Sequence, residues 1–241
     1  GDTSTAVLPA ADAVVDPKQT DCAYPWKGIC GAVVAWKVLQ LVQRICGQPD
    51  AWEKYLAFAA FATVGDVMEL RGENRTITAL GLQQLRQMDN VGLQALTAAS
   101  GLEPDQIRAY HIGYVIGPCI NATGRLDTAK RALELLTETD TMRAQQIAQE
   151  LVSLNEERKQ LTAEGVEEAV RIVEEQELWK KPVLVVYLPH THESLAGIIA
   201  GRLRERYYRP TYVLTDGEGC VKGSGRSIPA YHMYEHLSRV G

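Results

Sequence analysis

Four groups of residues in this 241-residue chain have the types and spacing to do chemistry. Asp66 follows the apolar run from Phe58 to Val64. A carboxylate buried there would need a cation, a metal ion or several hydrogen-bond donors. A turn or helix cap explains it more plainly, with Glu69, Arg71 and Glu73 beside it in a solvated loop. The second group runs from Gly117 to Asp127 as Gly-Pro-Cys-Ile-Asn-Ala-Thr-Gly-Arg-Leu-Asp. It predicts a tight loop opening a helix, with backbone N–H groups aimed at an anion and Arg125 clamping a phosphate. In the plainer reading Asn121 holds the turn and Arg125 pairs with Asp127.

The third group joins His190 and His192 to a helix carrying Gly197 and Gly201. Two histidines at that spacing can ligate a metal or donate to a phosphate, and they also suit an ordinary loop. The two glycines, four residues apart, let a helix pack closely on a sheet. The fourth group is Gly223-Ser224-Gly225-Arg226-Ser227. Successive small residues can form a backbone nest in which two hydroxyls and an arginine converge on one phosphate. His232 and His236 are also four apart, but no third ligand is near in sequence, so they read as surface residues.

These groups need elements to position them. Apolar spacing predicts a mostly buried helix over Gly31–Cys46 and others over Ala51–Thr63, Ile77–Met88, Leu93–Ser100, Asp105–Ile112 and Thr128–Leu136. From Asp140 to Gln176 the pattern is one long proline-free helix, roughly 50 Å at 1.5 Å per residue, which reads as a connector between domains. Then the period changes. Val183–Leu188 is a buried-strand run, Ser194–Tyr208 a helix and Thr211–Leu214 a second strand, so a parallel pair joined by a crossover is expected. Residues 221–227 continue as a strand edge running into a glycine-rich loop.

Hydrophobic residues at 46% and charged residues at 23% supply a real core and exclude a disordered tail or a collagen-like repeat. No apolar stretch is long enough to cross a bilayer. The five cysteines form no C-x-x-C pair, which suits reduced thiols in a cytoplasm. A net charge of -5 argues against nucleic acid as an average. However, Arg202, Arg204, Arg206, Arg209, Lys222 and Arg226 crowd one end, where a basic face can still meet phosphate.

Taken in order, several segments resemble the DHH phosphoesterase superfamily, and within it the exonucleases of single-stranded DNA. They are Val15–Lys18, Asp21–Lys27, Gly31–Lys37, Ala62–Val67, Gly72–Arg75, Gly117–Ala129, His192–Leu203 and Gly223–Pro229. The resemblance implies an α/β fold in three parts. Residues 1–137 would be the C-terminal part of a DHH domain, 138–178 a connecting helix, and 179–241 a DHH-associated α/β domain, both domains truncated. It implies two Mn2+ or Mg2+ ions and 5′→3′ cleavage in DNA repair and recombination. It makes Asp66 a metal ligand, and it sets Asn121 and Arg125 beside the metal site against the substrate backbone. His192, Ser224, Arg226 and Ser227 would face the strand. The smaller relatives that act on short oligonucleotides or cyclic dinucleotides are a second expectation, and a non-catalytic binding module a third. The Asp-x-Asp and Asp-His-His motifs of the family are absent from these 241 residues. An internal piece that is a poor nuclease by itself is therefore expected, with the complete protein as the enzyme.

Overall fold

Val33 and its helical neighbours start the first element, α1 (Gly31–Ile45), on a short apolar seam. The computed structural model describes residues 10–48, 50–126 and 129–239, without the side chains of Arg125 and Leu126. Two compact units emerge, one from residues 1–120 and 132–149, the other from 121–131 and 150–241.

The first unit is helical: α1, α2 (Leu56–Gly65), α3 (Gly72–Leu85), α4 (Val91–Ala99), the single turn α5 (Ala109–His111), and most of α7 (Lys130–Thr137). A 3-10 turn at Glu53–Tyr55 precedes α2, so the expected helix from Ala51 begins in two steps. One core joins Ile29, Cys30 and Val33 to Ala59, Ala60 and Ile77, with Tyr24, Trp26 and Met68 packed against it. Contrary to the sequence reading, α1 is not mostly buried. Val33 is its only buried residue, and Leu41, Val42 and Ile45 face outward at 58%, 48% and 76% exposure. Its apolar residues spread over more than one face, and α2 covers only the Val33 side.

Thr141–Glu175 forms the 35-residue helix α8, within one residue of the span expected at each end. Its first turns belong to the first unit and the rest to the second. There Ala169 and Val173 enter a core with Leu184, Val186, Leu195, Ile199, Leu203 and Val213. The sheet order is β1 (Leu184–Tyr187), β2 (Thr211–Gly217), β3 (Cys220–Arg226). β1 and β2 are parallel and joined through α9 (Glu193–Tyr207), as the spacing predicts. β1 is not buried on both faces, however. Leu184 and Val186 point into the core, whereas Val185 and Tyr187 are 52% and 47% exposed, because α8 and α9 pack on the side of Leu184 and Val186. A short α10 (Met233–Ser238) ends the described chain. Among the described residues no helix is long and apolar enough to cross a membrane, and no disulfide forms.

Candidate nucleic-acid interface

Asp66 is exposed at the C-cap of α2, and its N–H donates to Ala62 O at 2.8 Å. The turn beyond it closes by two bonds of 3.0 Å, Val67 N–H to Val64 O and Met68 N–H to Thr63 O. This double bond pattern is the Schellman motif, which needs a left-handed residue just past the cap. Gly47 and Gly101 fill that place after α1 and α4, at φ +74° and +72°. After α2 it is filled by Val67, at φ +55°. A β-branched residue is strained there, and Val67 is 87% exposed, so burial offsets none of the strain. Met68 folds back onto the Ile29–Ile77 core and completes the motif. Val67→Gly is therefore expected to stabilise the protein by about 1 kcal/mol. Thermal unfolding should rise by about 2–4 °C. An unchanged or lower midpoint would show that the turn carries no strain.

The expected placing of Glu73 in a solvated loop is corrected by the structure. Glu73 is half-buried in the first turn of α3 and accepts hydrogen bonds from Tyr24 Oη and Lys37 Nζ. Lys37 also stands 5.4 Å from the Tyr24 ring centroid. Next to it, fully buried Asn74 donates to Gly28 O at 2.6 Å and Glu69 O at 3.0 Å. Three segments distant in sequence thus meet at one carboxylate. Desolvation pushes the Glu73 carboxyl up, but the bonds from Lys37 and Tyr24 outweigh it and hold it below its ordinary value. Desolvation alone would push Lys37 down, yet its bonds to Glu73 and Tyr24 hold it above its ordinary value.

The signs define a pH window. Glu73, being depressed, contributes stability above the ordinary carboxylate range, and this is lost as pH falls through its lowered value. Lys37, being raised, contributes below the ordinary lysine range, and this is lost as pH rises through its raised value. The melting midpoint of the native protein should exceed that of Glu73→Gln by a constant margin at neutral pH, and the margin should vanish in acid. A margin that persists in acid would rule out the ion pair as its source.

Gly117–Leu126 is a helix, α6, and not a loop opening one. The expected helix over Asp105–Ile112 is likewise replaced by a 3-10 turn at Pro104–Gln106, then α5, then a π-helical turn at Ile112–Ile116 that runs directly into α6. Proline inside a helix lacks a donor and collides with the carbonyl four residues back. The π turn just before Pro118 widens the helix and reroutes those bonds. It also brings Ile112 O within 2.5 Å of where a Cβ on residue 117 would stand, so only glycine fits. Asn121 lies exposed on α6. The backbone of Arg125 continues that helix, but its side chain and Asp127, and with them their suggested pairing, lie outside the described residues.

In the second unit, His192 is the N-cap of α9. Its Nδ1 accepts from Ser194 N–H at 3.3 Å and lies 2.7 Å from Ser194 Oγ. With Nδ1 accepting, the neutral ring carries its proton on Nε2, a donor at the exposed helix start. The expected backbone nest at Gly223–Ser227 is instead mostly strand. Gly223 to Arg226 pair antiparallel with Leu214 to Thr211. The extended backbone of the ladder alternates its N–H groups between β2 and the open edge of the sheet, so they do not converge on one anion as a nest requires. Strand alternation puts Lys222, Ser224 and Arg226 on one face. That face lies on α9: a Cβ on Gly197 would stand 2.8 Å from Ser224 Oγ and 2.9 Å from Arg226 Nη2. Arg226 Nη1 donates to Ser224 Oγ at 3.3 Å and Gly225 O at 2.8 Å, and Lys222 pairs with Glu193 at 2.5 Å. The Ser227 hydroxyl turns inward to Tyr231 O. His192, Ser224 and Arg226 therefore gather along the first turns of one helix, whose N-terminus favours anions. His232 and His236 are exposed: one caps α10 and the other stacks on Tyr231.

Asp66 belongs to the first unit, whereas Asn121, His192, Ser224, Arg226 and Ser227 belong to the second. Among the described residues no three His, Cys, Asp or Glu side chains form a group that could hold a metal ion. A pair of divalent ions about 4 Å apart needs more than one carboxylate, so these residues do not fit a complete two-metal centre. Reasoning along the chain missed the Tyr24–Lys37–Glu73 cluster. The signal for it lay in the three resembling segments that carry one member each.

No family model matches the chain. The single-stranded-DNA-specific exonuclease RecJ of Bacillus subtilis is 36% identical over 234 residues, covering 96% of this chain and 29% of that protein. RecJ of Escherichia coli is 33% identical over 249 residues, covering 97% of the chain and 43% of that protein. In three dimensions, the crystal structure of RecJ in complex with Mg2+ from Thermus thermophilus matches at a TM-score of 0.77 and 30% identity, over 90% of this chain and 33% of that one. A structure of exonuclease RecJ bound to manganese matches at 0.82 and 30% identity, over 97% and 57%. The chain thus spans well under half the length of these curated relatives. Sequence and fold agree in relating it, over nearly all of its own length, to one part of the single-stranded-DNA-specific exonuclease RecJ.

Proposed function

We propose that the protein carrying these residues is a Mn2+- or Mg2+-dependent 5′→3′ exonuclease of single-stranded DNA, working in the cytoplasm in DNA repair and recombination. One observation supports this reading above the others. Arg226 and Ser224 lie side by side on β3 against Gly197, on the helix that His192 caps, and present a guanidinium and hydroxyl near a helix start. Such a face suits a phosphodiester. In this reading Asp66 contributes one ligand to a metal site completed from outside the described residues. Asn121 and Arg125 meet the substrate backbone, and Ser227 fixes the end of β3 through Tyr231. Residues 1–137 then belong to the metal-bearing domain, 138–178 connect, and 179–241 form the strand-binding domain.

The test is digestion of 5′-labelled single-stranded and duplex DNA by the complete protein, with Mn2+ or with EDTA. Mn2+-dependent release of label from the single strand alone is expected, with binding that weakens steeply as salt rises. Equal cutting of duplex, or cutting in EDTA, would overturn the reading. Faster turnover of dinucleotides than of long strands would favour the small-substrate relatives instead.

A further inference from the structure

We infer that Tyr110 and Tyr114 form a stacking platform for a nucleobase of the bound strand, beside the turn that carries Asp66. The inference rests on the single-strand reading above and adds a contact that none of the phosphate-facing residues supplies. The two rings already stack on each other, with centroids 5.1 Å apart and planes at 28°. They are nevertheless 64% and 72% exposed. Exposed tyrosines at this level leave large apolar faces in water, an arrangement that a further flat ring relieves by extending the stack.

The local fold makes the pair rigid. Tyr110 lies in α5 and Tyr114 in the π turn, while Ile112 and Ile116 between and after them are fully buried. The backbone before them is held by Arg86 Nε donating to Ile107 O at 3.0 Å, and Arg108 N–H donates to His111 Nδ1 at 3.2 Å. π turns occur often at functional sites because they re-aim side chains within an otherwise regular helix. This one rests on the last turn of α2: a Cβ on Gly113 would stand 3.9 Å from Val64 Cγ1. Val64 is two residues before Asp66 and accepts the bond that closes the turn beyond it. The platform and the candidate metal ligand are therefore parts of one packed corner of the first unit. Exposed Arg108, two residues before Tyr110, adds a cation for the adjoining phosphate, while Glu103 and Asp105 lie on the preceding turn.

A stack recognises the flat face of any base, so it supports binding without sequence preference. A protein partner would bury the same rings but would not compete with bases. The experiment measures binding by the complete protein in EDTA, which prevents cutting, to a labelled thymidine oligomer and to an abasic strand of the same length. The paired change Tyr110→Ala with Tyr114→Ala should weaken thymidine-strand binding about tenfold or more and leave abasic-strand binding unchanged. Tyr110→Phe with Tyr114→Phe should bind like the native protein. A strand containing 2-aminopurine should lose fluorescence on binding the native protein, which reads stacking without any variant. Equal loss on both strands, or no loss on either, overturns the platform. If Arg226→Ala weakens both strands while the tyrosine changes weaken neither, the platform fails and the nuclease reading stands. If the native protein binds neither strand, both fail.

Discussion

On the proposed nuclease reading, Asp66→Asn in the complete protein is expected to slow Mn2+-dependent degradation of single-stranded DNA by about a thousandfold, equivalent to ~4 kcal/mol of barrier. The same change should leave the melting midpoint and strand binding in EDTA nearly unchanged. The reason lies in how the residue is held. Asp66 takes part in its turn through its backbone N–H, while its exposed carboxylate takes no part in the bonds that close it. Asparagine keeps the shape and the cap but loses the charge that a divalent ion requires. A fall in stability of the same order as the fall in rate would make Asp66 a structural cap. Full activity in the variant would remove it from the metal site altogether.

Gly92→Ala is expected to destabilise the first unit by about 3 kcal/mol or more, the upper end of overpacking effects. A Cβ at Gly92 would stand 1.8 Å from Leu135 O and 2.6 Å from Leu135 C. Both are backbone atoms of α7, so no side-chain rotation makes room. The two helices are also clamped together. Asn90 Oδ1 caps α4 by accepting from Leu93 N–H at 2.8 Å, while its Nδ2 donates to Leu136 O at 2.9 Å. Moving α7 outward to admit a methyl group would break that bond and open the contact around fully buried Leu135. Thermal unfolding should therefore move down by about 6 °C or more. A shift within error would mean that α7 can slide away freely, contrary to the Asn90 clamp.

The left-handed Val67 and the alanine-intolerant Gly92 show two ways in which a sequence conceals its constraints. Glycines at Gly47 and Gly101 announce left-handed helix ends, because glycine prefers them. Val67 announces nothing, since its backbone is set by the bonds from Val67 and Met68 back to Val64 and Thr63. Gly92 marks the end of α4 nearest α7, but the carbonyl it must avoid lies more than forty residues away.

What the sequence determined by itself is local in period. The spans of α1, α8 and α9 follow within about two residues from three- and four-residue apolar spacing. The strand, helix, strand order from Val183 to Leu214 pointed to a parallel pair, because the helix between the strands is long enough to serve as the crossover that such a pair needs. Tertiary structure decided the rest. Glu73 became a bonded carboxylate only when Tyr24 and Lys37 arrived from 49 and 36 residues away. Gly117-Pro118, punctuation in sequence, became helix because the π turn before it absorbed the proline. Gly223–Arg226 read as a nest while its backbone bonds had no visible partner, and became strand once β2 supplied one. Local spacing dictates which residues share a face, but the partner of each polar group is chosen by chain segments that spacing cannot bring together.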